Sequence, residues 1–355
     1  MAQADNYETA ATGAADTVAE FHEEDKGWIG RLQHALHVTP ALVPLIVLVF
    51  AIALFGILLG TKFFSPFALT LILQQVQIVG VLAAAQTLII LTAGIDLSVG
   101  AVAVFCTVIM GQFTFRYGIP APIAVAFGLA AGTALGAISG WLVSRVKLPP
   151  FIVTLGMWQI VLAANYLYSA NETIRSQDIA EQAPFLHFLG TKLQFGGATF
   201  TLGVVLMVVL VLVLAYALRS TSWGRHVYAV GDDPEAAELA GVDVHKTLMS
   251  VYMLAGFICA LAAWVMIGRF SSVSPSASTG VVGNIQAITA VVIGGISLFG
   301  GRGSILGAFF GALIVGVFEL GLRMAGADPQ WTFMLIGMLI IGAVTVDQWI
   351  RKVTA

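Results

Sequence analysis

Charged residues are scarce in this 355-residue chain: 16 Lys and Arg with 19 Asp and Glu make up 10% of it, against about 25% in soluble domains. So few ionic groups cannot cover a water-facing surface of this size, which excludes an ordinary soluble fold. A net charge of −3 provides no basic face, so a nucleic-acid partner is excluded as well. Cysteine is limited to Cys106 and Cys259, both inside apolar runs, where they read as small hydrophobes and supply neither a disulfide framework nor zinc spacing. The phosphate-loop pattern G-x-x-x-x-G-K-[ST] is missing, and residues 301–307 fall one position short of the dinucleotide fingerprint. The chain is therefore expected neither to bind nor to hydrolyse ATP. Histidines 22, 34, 37, 187, 226 and 245 lie at no metal-ligand spacing, and no Ser/His/Asp or Cys/His arrangement stands out. We expect no enzyme activity, no metal and no cofactor.

Hydrophobic residues are abundant, at 59% of the chain, with a mean hydropathy of +0.94. A spanning helix needs about 20 predominantly apolar residues, and unsatisfied backbone groups in hydrocarbon restrict the choice to helices or closed barrels. The runs are too long for barrel strands. They fall at 41–60, 67–93, 97–113, 121–143, 151–168, 199–218, 248–268, 284–299, 305–322 and 332–350, which predicts an all-α, polytopic transmembrane bundle of about ten helices. Residues 1–39 are set apart as an acidic, disordered, cytoplasmic tail: Asp5, Glu8, Asp16, Glu20, Glu23, Glu24 and Asp25 stand among few large apolar residues. This tail lacks the basic and apolar regions of a cleavable signal, so the first span is expected to act as its own insertion signal. Residues 40–355 form the transmembrane domain. With both termini cytoplasmic, ten cations face inward (Lys26, Arg31, Arg145, Lys147, Arg219, Arg225, Lys246, Arg302, Arg351, Lys352) and six outward. The positive-inside rule prefers that orientation.

Gly128, Gly132, Gly136 and Gly140 recur every four residues in the fourth segment, as do Gly303, Gly307 and Gly311 entering the ninth. Such stripes let helix backbones approach closely, either within one chain or between two copies. A faint echo links 94–100 with 295–301 and suggests a repeat, although the topology puts both on the same side. Asp96 is the only acid from 67 to 113 and sits in a Gly-bracketed break. A carboxylate near the bilayer costs about 2.5–3.5 kcal/mol at a helix centre. It reads either as an N-cap for the turn at 97–99 or as a contact on the substrate path or its gate.

Amides and aromatics recur within the bundle: Gln74, Gln75, Gln77 and Gln86, then Trp158, Gln159, Asn165, Tyr166 and Tyr168, then Asn284 and Gln286. Neutral amides beside aromatic faces suit a hydroxyl-rich neutral solute better than an ion, with interhelical hydrogen bonding as the alternative. Gln86, Trp158, Asn165, Asn284 and Gln286 join Asp96 as candidate path residues. Glu319 and Arg323, four apart, read as a local ion pair near the outer end.

The loop at 219–247 contains a short helix. Asp233 is its N-cap, Pro234 its first residue, Glu235 lies in the first turn, and Gly241 is the stop. Ala236, Ala237, Leu239 and Ala240 give it a small apolar side that fits a groove on another protein, or lies on the membrane surface.

Four long motifs carry a family resemblance: 91–100 (LTAGIDLSVG), 147–156 (KLPPFIVTLG), 223–231 (WGRHVYAVG) with the loop helix, and 288–304 (ITAVVIGGISLFGGRGS). In these the chain resembles the ribose-type permeases of bacterial monosaccharide ABC importers, from about residue 45 to the end. Segments 157–160, 168–174 and 328–331 look like a fructose-importing branch. The resemblance implies a permease homodimer in the inner membrane, partner ATPase subunits that bind the ATP and dock on 231–246, and a periplasmic sugar-binding protein that delivers substrate. An ion-gradient-driven secondary sugar transporter is the rival reading.

Overall fold

The computed structural model describes residues 41–354, and the predicted tail lies outside the described residues. The helices are α1 (Leu42–Leu59), α2 (Pro66–Leu91), α3 (Val99–Phe115), α4 (Ala121–Ser144), α5 (Pro150–Ser169), α6 (Ser176–Gln182), α7 (Leu202–Ser220), α8 (Ser222–Asp232), α9 (Pro234–Leu239), α10 (Val244–Phe270), α11 (Ala277–Ile293), α12 (Ile305–Met324) and α13 (Pro329–Thr354). By length and composition α1, α2, α4, α5, α7, α10 and α12 can each cross a membrane. The shorter apolar helices α3 and α11, and the stretch Gln330–Gly342 of α13, account for the other three predicted segments. The chain is a multi-pass helical membrane protein.

Each helix satisfies its own backbone, as hydrocarbon requires, and side chains sort by neighbour. α2, α10 and α12 are largely enclosed, whereas Ile57 of α1, Leu167 of α5 and Tyr216 of α7 face outward, as lipid-facing positions do. Where spans begin, local chemistry is clear: Ser65 accepts a hydrogen bond from the Ala68 amide, with Pro66 opening α2.

Two spans are built alike. A 26-residue α2 is followed by an irregular break at 92–98 and the 17-residue α3, and a 27-residue α10 by a break at 271–276 and the 17-residue α11. Both long helices are followed by a non-glycine residue in the left-handed region, Ala93 (φ 59°) and Ser271 (φ 51°). The breaks lie at opposite ends of the bundle. Gly301 donates to the Leu91 carbonyl (3.0 Å) at one end, while Val273 pairs with Ile174 at the other. α3 and α11 then cross so closely that a Cβ on Gly100 would overlap the Gly280 carbonyl, and one on Gly280 would lie 3.1 Å from the Gly100 oxygen. This is an inverted pair of units. It is not the pairing that the sequence echo suggests: 94–100 and 295–301 lie at the same end of the bundle.

The glycine stripes face neighbours within the chain. Added Cβ atoms would meet Met110 of α3 at Gly128 (2.5 Å), Ala260 at Gly132 (2.8 Å), the Tyr252 carbonyl at Gly136 and Tyr252 Cβ at Gly140 (2.9 Å), the last three on α10. Gly307 and Gly311 of α12 press on the Gly294 and Ala290 carbonyls. Gly303 is not on that helix face; with φ 131° it turns the preceding loop against Ile296.

Two of the boundary shifts have a clear local cause. The predicted 284–299 segment is α11 at Ala277–Ile293, because Gly280 and Gly283 serve close helix approach and the chain breaks only after Ile293. The predicted start at 199 moves to Leu202, because Ala198–Thr201 (β2) pairs antiparallel with Lys192–Phe195 (β1).

Candidate coupling and path site

At the end of the bundle holding the 92–98 break, α8 and α9 form a separate arm. Thr221 caps α8 by accepting from the Gly224 amide (3.2 Å). Trp223 Nε1 donates to Ser250 Oγ (2.8 Å), and Tyr228 donates to the Gly303 carbonyl (2.9 Å), which ties the arm to the loop between α11 and α12. Burial pushes the Tyr228 phenol up from its ordinary value, so it stays a neutral donor. In α9, Asp233 Oδ1 accepts from the Glu235 (2.9 Å) and Ala236 (3.0 Å) amides, Pro234 opens the helix, and Gly241 (φ 87°) ends the turn. The four apolar residues are divided: Ala237 is buried against the bundle, whereas Ala236, Leu239 and Ala240 point away, and Leu239 is 91% exposed. Glu235 is exposed in the first turn.

The arm meets both irregular loops through glycine backbone. A Cβ on Gly231 would overlap the Leu91 carbonyl and lie 2.7 Å from the Gly301 nitrogen; one on Gly300 would press on Gly231 and Ala93, and one on Gly301 on Asp232. No side chain intervenes, so α8 packs directly on the end of α2 and on the loop before α12.

The 92–98 break is held by side chains from three helices. Thr154 of α5 donates to the Ile95 carbonyl (3.0 Å) and accepts from the Leu97 amide (3.2 Å). Asn284 of α11 donates to the Leu97 carbonyl (2.9 Å). Gln86, oriented to satisfy both its amide atoms, donates to the Asp96 carbonyl (3.1 Å) and accepts from the Asp96 amide (3.3 Å). Irregular backbone at this depth survives only with such partners. The Asp96 carboxylate accepts from the Ser98 amide and hydroxyl, both 2.6 Å, so it shapes the turn two residues before the helix cap, which is Ser98 itself. Asp96, Gln86 and Asn284 are thus brought together, and Thr154 joins them; it lies in the 147–156 motif, but nothing within that motif distinguishes it as a candidate path residue.

The other break has its own supports. Asn165 donates to the Pro275 carbonyl (2.9 Å), and Tyr166 accepts from the Ala277 amide (3.3 Å). Thr154 and Asn165, three helical turns apart on α5, therefore fasten the two breaks. Trp158 lies between them, beside Asn165 and Gly280 in a narrow crevice. Among the described residues, Tyr252 Oη, Asn284 Oδ1 and Asn165 Oδ1 are buried without a hydrogen-bond partner.

Gln286 is placed elsewhere, on a cavity of about 270 Å³ between α2, α3, α10 and α11. It and Gln75 both donate to Glu319 (3.1 and 3.2 Å), which also holds Arg323 at 3.0 Å. The Glu319–Arg323 pair predicted from sequence is present, but it is one part of a four-residue cluster spanning three helices.

Residues 68–344 match the family described as branched-chain amino acid transport system / permease component. The chain is 64% identical over 349 residues to the fructose import permease protein of Rhizobium meliloti, covering 98% of this chain and 96% of that one. It is 35% identical to the ribose import permease protein of Escherichia coli K12 (81% and 88% covered) and 27% to the xylose transport system permease protein of Haemophilus influenzae (87% and 96%). No solved structure matches. The proteins it resembles are transport subunits and not enzymes, and the chain belongs to this permease family, among its sugar import permeases.

Proposed function

We propose that the chain is the membrane permease subunit of an ATP-driven importer for fructose or a related monosaccharide, working as a homodimer in the bacterial inner membrane. Partner ATPase subunits dock on the outward face of α9, and a periplasmic sugar-binding protein delivers substrate at the opposite end, where α6 and the β1–β2 hairpin lie. Both termini are cytoplasmic, in keeping with the cation distribution. The observation that carries this reading is the glycine junction at Gly231, which joins an exposed apolar arm to the end of α2 and the loop before α12. Movement of α9 driven by the ATPases shifts Leu91–Ala93 and Gly300–Gly301 together, and the breaks around α3 and α11 open the path to alternate sides. The similarity to a fructose import permease supports the choice of sugar.

The test is uptake of labelled fructose into proteoliposomes. Wild-type chain is expected to transport only with the ATPase, ATP and the binding protein present. Leu239→Asp removes an anchor that is 91% exposed and so leaves the fold intact, but it lowers ATPase co-purification and uptake by about tenfold or more. Uptake by the chain alone on an ion gradient, or an L239D variant that behaves as wild type, overturns the proposal.

A further inference from the structure

We propose that the cavity between α2, α3, α10 and α11 is a subsite for a neutral polyhydroxyl solute in transit. Gln75 and Gln286 are its hydrogen-bonding groups, and Glu319 is the residue that positions them. This rests on the permease reading above and names where the sugar pauses. The cavity, about 270 Å³, has Gln75, Gln286, Ser278 and Thr279 in its lining, together with Phe270, Met266 and smaller apolar residues. Amide, hydroxyl and aromatic groups together make up the chemistry that recognises a sugar ring: paired donors and acceptors for hydroxyls, and a flat apolar surface for the C–H face.

Glu319 explains why two amides on different helices point into one space. Among the described residues it is the only acid within the helices able to cross a membrane. An ionisable group there is costly and marks function by default. Its Oε2 accepts from both Gln75 Nε2 (3.2 Å) and Gln286 Nε2 (3.1 Å), and its Oε1 from Arg323 (3.0 Å). The carboxylate lies behind the amides and does not line the cavity, and Arg323 balances its charge. Each glutamine is therefore fixed with its nitrogen turned toward Glu319, which leaves its carbonyl oxygen to accept from a hydroxyl. Gly100, where α3 and α11 touch, is part of the cavity lining, so the subsite adjoins their crossing.

The experiment uses the reconstituted complex of permease, ATPase and fructose-loaded binding protein, with turnover measured per assembled complex. The double variant Gln75→Ala/Gln286→Ala is expected to lose at least about tenfold in fructose turnover, with the KM for loaded binding protein within about twofold of wild type. Glu319→Gln, nearly isosteric, is expected to lose about three- to tenfold through misorientation of the amides. A merely structural role lowers the amount of assembled complex and leaves turnover per complex unchanged. Turnover within twofold of wild type in both variants overturns the subsite, as does a raised KM at unchanged turnover. If the double variant fails to assemble, Gln75→Ala and E319Q decide by the same criteria. Failure of the wild-type complex to transport fructose counts against the permease reading itself, a separate outcome.

Discussion

Gly231→Ala tests the junction between arm and bundle most directly. The added Cβ has no space: it overlaps the Leu91 carbonyl and lies 2.7 Å from the Gly301 nitrogen, between the two partners of a 3.0 Å backbone hydrogen bond. Overpacking of this kind costs about 1–3 kcal/mol, and loss of the hydrogen bond about 1 more. Alanine's better helix propensity returns about 0.5–1 kcal/mol. The net, roughly 1–3 kcal/mol, corresponds to about a 5- to 150-fold change if it falls on the coupling equilibrium. The assay is ATP-driven uptake in proteoliposomes, with thermal unfolding of the purified chain measured in parallel. Gly156→Ala is the control, because no neighbouring atom lies within 4 Å of its added Cβ; it should be neutral or slightly stabilising. If Gly231→Ala matches that control in both measurements, the backbone contact is not the transmission point and the reasoning fails.

Thr154→Val keeps the side-chain shape but removes both hydrogen bonds to the 92–98 break. The cost is about 1–3 kcal/mol, so amide exchange across 92–98 should quicken by about tenfold or more, and Thr154→Ser should restore most of the protection. Asp243 caps α10 by accepting from the Lys246 amide (2.9 Å), and this bond, with the Lys246 ammonium beside it, holds its carboxyl below the ordinary range. A depressed value stabilises the fold above the unfolded-state pKa and is lost as pH falls through the folded one. Asp243→Ala should therefore lower the melting temperature at neutral pH. Its difference from wild type should vanish as the medium is acidified past the ordinary carboxylate range; a difference that persists there refutes the charged cap.

The loop helix shows what is legible locally. Asp233, Pro234 and Gly241 each act within a few residues of themselves, so cap, start and stop follow from chain geometry alone. Its neighbour α8 went unread, since the sequence 222–232 has no Pro start or Gly stop and is fixed by Trp223 and Tyr228 reaching Ser250 and Gly303. Glu319 and Arg323 sit four apart and announced an ion pair, but the two glutamines that complete the cluster are 244 and 33 residues away.

From sequence alone came the membrane as solvent, the number of apolar segments, the capped arm and the family motifs, because each depends on composition or on contacts within a turn or two. Tertiary structure decided that α2–α3 and α10–α11 form inverted units with breaks at opposite ends. It also decided that Thr154 and Asn165 fasten those breaks and that Gln75 and Gln286 converge on one carboxylate. The physical reason is the same in each case: a backbone group in a dry interior must find a partner wherever the fold brings one, and the partner's distance along the chain leaves no trace in local pattern.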